Sequence, residues 1–164
     1  MPEPGWLLCV VDAVDPAALR QAYWTIYRDE YVNAEVRDWA GRRVRFHGFT
    51  FDHAFSEATN YRLSAGVHDV ALSLKRLQRI RWIKLALAGD GVRINVLAQI
   101  RDDSRGRPRR RRTVIVLDNR YLVVLEVSQE DGFAFTFVSA FPADQAYIDR
   151  LSRGANVIER RGQK

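Results

Sequence analysis

The side chains with the most chemistry to offer are one histidine set between two phenylalanines, Phe51-Asp-His53-Ala-Phe55, and a dense group of cations downstream of it. Residues 74–112 hold thirteen basic side chains: Lys75, Arg76, Arg79, Arg81, Lys84, Arg93, Arg101, Arg105, Arg107, Arg109, Arg110, Arg111 and Arg112. Against them stand three acids, Asp90, Asp102 and Asp103. That segment carries +10 in a chain whose net charge is +6, which leaves −4 for the rest. Only three of the 26 basic residues are lysines. Arginine presents a planar fork that matches phosphate oxygens and stacks on rings. Cleaving an RNA phosphodiester needs these parts and few others. A base takes the 2′-OH proton, an acid assists the leaving 5′ oxygen, and cations hold the extra negative charge of the transition state. One histidine and two or three arginines or lysines supply that inventory without a metal.

Other chemistries lack their residues. There is no CxxC, HExxH or EF-hand loop, so no metal site is signalled, and no P-loop or GxGxxG, so no cofactor is either. No Gly-x-Ser-x-Gly elbow is present. The single cysteine, Cys9, lies in an apolar run and reads as a small buried hydrophobe. His47, His53 and His68 have no ligand-like spacing. No apolar run approaches the roughly 18 residues of a membrane span, and the N-terminus lacks the basic start and apolar stretch of a signal peptide. A cytoplasmic site of folding is therefore expected, and a toxin delivered by another route would have the same features.

The elements that must position these residues can be read from pattern. The chain has 164 residues, 47% hydrophobic and 28% charged, which suits one domain with a real core. Leu7 to Val11 could be a strand. Asp15-Pro16 starts a helix expected to run from Ala17 to about Trp39, with Leu19, Tyr23, Ile26 and Tyr27 as its buried stripe. Arg43 to Phe46 alternates as a strand does, and Gly48 to Gly66 is mixed and aromatic. A second helix is expected from about Asp69, through Val70, Leu74, Leu77, Ile80, Ile83 and Leu87, to a stop at Gly89. After Gly91 four β-rich runs follow: Val92 to Ile100, Thr113 to Asp118, Tyr121 to Val127 and Phe133 to Ser139. Turn signals at Asp118-Asn119 and Asp131-Gly132 make the last three a meander. A short helix over 143–153 and a frayed basic tail over 155–164 complete the reading. The fold class is α+β, N-terminal helices packed on a roughly four-stranded antiparallel sheet. Arg105 to Arg112 falls between two strands and reads as an arginine loop able to follow a phosphate backbone, or as a solvated hairpin loop.

Two stretches carry a resemblance. Phe51-Asp-His-Ala-Phe-Ser56, followed by Arg76-Leu-Gln-Arg-Ile-Arg-Trp-Ile-Lys84, resembles the histidine-plus-RA-x-RI-x-WI pattern of phage-associated nuclease domains in the barnase/EndoU/colicin D/RelE-like superfamily. Tyr121 to Val127 with Phe137-Val-Ser-Ala-Phe-Pro142 resembles its closing strands, which commonly end in a Thr-Ala-Tyr-like motif. The likeness covers about residues 45–145. It implies a metal-independent endoribonuclease, and a toxin or phage-encoded setting. It implies that His53 is general acid or base, that Arg76 or Arg79 is the helix cation facing phosphate, and that Ser139 stands where threonine is usual. Phe141 stands where tyrosine is usual, which leaves open any role for a tyrosine hydroxyl there. Arg112 is the choice for a second transition-state cation. Arg81, Lys84, Arg105, Arg107, Arg109, Arg110 and Arg111 are the expected nucleic-acid contacts. The partners implied are RNA, tRNA or another structured RNA included, and an acidic inhibitor suited to the +10 segment. Two other readings use the same basic surface: an RNA- or DNA-binding module without turnover, and a phage structural or interaction protein. His53 also fits a hydrogen-bonded histidine at the edge of the core, and Ser139 a small strand residue.

Overall fold

A computed structural model of the chain describes residues 6–57 and 72–163. His68, Asp69 and Val70, and with them the start of the expected second helix, lie outside the described residues, as does the end of the aromatic stretch from Gly48 to Gly66.

The chain is α+β. The helices are α1 (Pro16–Tyr27), α2 (Thr50–Ala54), α3 (Leu74–Leu77), α4 (Trp82–Ala88) and α5 (Gln145–Arg153). The strands are β1 (Val36–Arg37), β2 (Arg43–Arg45), β3 (Ile94–Asp102), β4 (Pro108–Val116), β5 (Tyr121–Val127), β6 (Phe135–Pro142) and β7 (Asn156–Arg161). They form one seven-stranded sheet in the order β1-β2-β6-β5-β4-β3-β7. The expected meander is present as β4-β5-β6, and β3 adds to it antiparallel. The expectation of four antiparallel strands is corrected in two ways. The sheet is wider, and it is mixed, because β2 runs parallel to β6 through Val44 opposite Phe135. β1 and β7 are short, arginine-bearing edge strands with little hydrophobic signal, whereas β2 falls where Arg43 to Phe46 is expected to be a strand.

Three further expectations are corrected. Leu7 to Val11 forms no strand; Cys9 donates its N–H to Gln78 O at 2.7 Å. The tail is not frayed over Asn156–Arg161, which pairs with β3. Its inward residues are Val157, Glu159 and Arg161; Glu159 accepts from the Trp39 indole at 2.9 Å and Arg161 lies over the same ring. The basic run is not a loop. Residues 108–112 belong to β4, with Arg109 and Arg111 on one face and Arg110 and Arg112 on the other. The turn before them is fixed by Asp103, which accepts the N–H groups of Arg105 and Arg107, with Gly106 at a positive φ.

One face of the sheet carries α1 to α4 over an aromatic core. Tyr23, Tyr27 and Tyr31 follow one another at helical spacing and are fully buried with Phe46, Phe51, Phe55 and Phe137. α1 begins at the expected Asp15 cap, but the helix ends in a π-helical turn over Arg28–Val32 rather than continuing to Trp39. The second expected helix is broken between α3 and α4 by tight turns in which Arg79, Ile80 and Trp82 donate N–H to the residue three earlier. Two buried phenols cover carbonyls at the break: Tyr31 donates to Ile80 O and Tyr121 to Arg79 O. The apolar face survives it, with Leu77, Ile80, Ile83 and Leu87 all fully buried. On the opposite face α5 packs Ile148 against Leu97, Ile115 and Leu122.

Candidate active site

The geometry that makes a site is at β6. β2 pairs with β6 only at Phe135 and Thr136, so among the described residues the rest of that edge of β6 has no strand beside it. A register shift between Val124 and Leu125 of β5 leaves Val138 as an extra residue in β6. It brings Ser139 and Phe141 onto the face that carries α5. The open edge is flanked by α2 and α3. Their junction is tied by Ser73 N–H donating to Phe55 O at 2.7 Å and by the Ser56 hydroxyl donating to His53 O at 3.0 Å.

A cleft of about 730 Å³ results, lined by His53, Ser56, Lys75, Arg76, Ser139, Phe141, Pro142, Ala143, Asp144 and Tyr147. Residues from four elements meet there although up to about ninety positions separate them in sequence. Arg76 donates its backbone N–H to the Ser73 hydroxyl, and its guanidinium donates to Ala54 O at 3.1 Å and lies over Phe141 at 4.8 Å from its centroid. The two side-chain contacts fix the plane of its fork and use one of its donors. Asp144 caps α5 by accepting the Tyr147 N–H at 2.7 Å, and the Tyr147 ring meets Phe141 edge-on. Ser139 is buried.

A second groove continues from the first, sharing Ser139, Phe141 and Tyr147 and adding Gln99, Arg101, Arg111 and Thr113. His53 feels this surround. Burial first, then the charges of Arg111 and Arg76, hold its imidazole below the ordinary histidine range. It is thus neutral at pH 7, able to take a proton but not to act as a standing cation. Arg76 and Arg111 are themselves pulled down by burial, yet remain cations.

Comparisons with protein-family models, with curated proteins and with solved structures return no match for this chain.

Of the residues expected to share a site, His53, Arg76 and Ser139 line one cleft and two do not join them. Arg79 lies over Trp82 and donates to Lys75 O. Arg112 sits on the face of β4 that carries α1 to α4, lining a different cleft with Arg101 and Arg110. The expected nucleic-acid contacts divide similarly. Arg81 and Lys84 both bind Glu30, and Arg109 bridges Asp103 and Glu126. Arg105, Arg107 and Arg110 are exposed on the hairpin, and only Arg111 reaches the groove beside the cleft. Sequence reasoning named Lys75 only as one of the basic side chains of residues 74–112, and it did not single out Tyr147. Tyr147 carried one readable signal, its place three residues after the helix-capping Asp144. Among the described residues, no group of three His, Cys, Asp or Glu side chains is placed to hold a metal, and no helix is long and apolar enough to cross a membrane.

Proposed function

We propose that this protein is an endoribonuclease whose catalytic centre is the His53 cleft. The observation that carries the reading is that His53, Arg76 and Ser139, taken from three elements distant in sequence, line one concavity with Arg111 within electrostatic reach of the imidazole. In this mechanism neutral His53 takes the proton of a 2′-OH as that oxygen attacks phosphorus. Arg76 and Arg111 hold the non-bridging oxygens as negative charge builds on them. The 5′ oxygen leaves with a proton from a second group, for which the Tyr147 hydroxyl and Lys75 are the candidates lining the cleft. Arg111 replaces Arg112 as the second cation, because Arg112 lies on the other face. Ser139 orients the phosphate. The residues invoked need no metal, and an acidic protein covering the cations would inhibit.

The test is cleavage of a mixed total-RNA and tRNA substrate in EDTA by wild type and His53→Ala. Cutting that ends in 2′,3′-cyclic phosphate and falls on the order of 10²-fold or more in the variant supports the reading. Equal cutting by both would move the base to another residue.

A second reading, binding without turnover, is favoured by the exposed Arg105, Arg107 and Arg110, which stand outside the cleft on a hairpin of defined shape. It is the conclusion if no enzyme level cuts RNA and binding persists.

A further inference from the structure

A second group of arginines lines a cleft that shares no residue with the His53 cleft, although Arg101 also borders the groove that continues from it. β7 pairs with β3 only as far as Ala98, so among the described residues the stretch from Gln99 to Asp102 has no strand on that side. Around this bare edge is a cleft of about 810 Å³ whose lining includes Arg101, Arg110, Arg112 and Arg153 with the amides of Gln99 and Asn156 and, among the described residues, no carboxylate. None of the four arginines forms an ion pair among the described residues, whereas Arg81, Arg93 and Arg109 each do. Arg112 bears the cost, held below the usual arginine range by burial and then by the charges of Arg110 and Arg42. Like charges gathered in one concavity repel, and an anion placed among them relieves that repulsion.

Two of the four arginines stand in line along one strand. Arg110 and Arg112 share one face of β4 and stand about 7 Å apart along it, a step comparable with that between successive phosphates. Arg101 reaches the cleft from the other face of the ribbon and Arg153 from the last turn of α5. A line of forks fits a chain of phosphates better than a single small anion does. Beside it Ile100, cross-strand partner of Arg110, is 72% exposed and offers an apolar surface to a base.

We propose that this edge cleft is a backbone-binding site for single-stranded nucleic acid, separate from the His53 cleft and without a catalytic role. It does not depend on the ribonuclease reading. The probe is a fluorescently labelled 2′-O-methyl oligouridine, whose blocked 2′ oxygen cannot attack, titrated by anisotropy over a range of salt. Arg110→Gln with Arg153→Gln removes two exposed cations. The expected result is roughly tenfold weaker binding at low salt, and a plot of log affinity against log salt shallower by about 1.4, at about 0.7 per lost phosphate contact on a single strand. Arg28→Gln, at an arginine paired with Asp29 that lines neither cleft, binds as wild type does. Arg101→Gln alone is a second route if the double variant does not fold, with a slope shallower by about 0.7. Unchanged affinity and slope in folded variants would overturn the proposal. So would displacement of the oligonucleotide by an equal phosphate concentration of inorganic pyrophosphate, which would make this a site for small phosphates.

Discussion

Arg76 is held over the ring of Phe141, 4.8 Å from its centroid, where α3 meets the unpaired part of β6. The contact joins the cation proposed to face phosphate to an aromatic platform on β6. Arg76→Lys keeps the charge and loses both the stacking plane and the fork. Under the proposed mechanism RNA cleavage falls on the order of 10²-fold, with a stability loss of only about 1 kcal/mol. Phe141→Leu retains the arginine but removes its platform and gives a smaller loss of activity. Both follow from initial cleavage rates set beside thermal melts; full activity in Arg76→Lys would remove the fork from the mechanism.

The burial and neighbouring cations that depress His53 set a pH dependence with a definite sign. The folded protein holds the imidazole neutral at pH values where the unfolded chain already protonates it. The stability tied to neutral His53 is therefore complete above the ordinary histidine range and is lost as pH falls through the folded value. Denaturant melts across this range should show the acid-side loss in wild type and less of it in His53→Gln. Cleavage should rise with pH and level off below the pH expected of a solvated histidine. Arg111→Gln and Arg76→Gln should each move the imidazole titration upward in NMR, Arg111→Gln by more, and neither should cancel the effect of burial.

Asp144 shapes the cleft wall through one hydrogen bond to Tyr147 N–H. Asp144→Ala removes the cap of α5 and should cost about 1 kcal/mol, seen as a melting point lower by roughly 2–4 °C. Tyr147→Phe should leave the melt unchanged. A fall in its cleavage rate alone would assign the leaving-group proton to the hydroxyl, and an unchanged rate would leave Lys75 in that role.

Glu30 binds both Arg81 and Lys84, so two of the expected nucleic-acid contacts are already neutralised. Glu30→Gln should lower stability by no more than about 1 kcal/mol, as exposed ion pairs generally do. It should also tighten RNA binding at low salt by releasing two cations. Unchanged binding would place that flank outside the RNA path.

Removal of residues 155–164 distinguishes a strand from a loose tail. It uncovers the edge of β3 and the Trp39 ring, and should cost several kcal/mol with a tendency to aggregate. A melt equal to wild type would mean that the β7 pairing contributes nothing.

The parts legible in the sequence are those where local chemistry decides structure. Asp15-Pro16 starts α1, Asp131-Gly132 turns with Gly132 at positive φ, and Tyr121 to Val127 is a strand over the expected residues. The missed parts depend on distant partners. Arg109 to Arg112 has loop-like composition but lies between β3 and β5, with Arg109 paired to Glu126. Asn156 to Arg161 buries half-polar residues only because Trp39 waits for them. At the site, His53, Arg76 and Ser139 were each visible by residue type and by the resemblance. The assignment of Arg111 over Arg112 was not, since it turns on which face of a strand each occupies, and that parity is invisible while the run is taken for a loop.

The cleft draws His53 and Arg76 from the first half of the chain and Ser139, Phe141 and Tyr147 from its last third. During synthesis a nascent chain that has emerged only as far as β5 carries the histidine and the helix arginine, but not the wall against which they are set. Both outer flanks of the sheet are equally late, since β2 waits for β6 and β3 for β7. The assembled cleft thus cannot precede translation of α5, and a ribosome making this protein meets the finished cleft only after Tyr147 has been read.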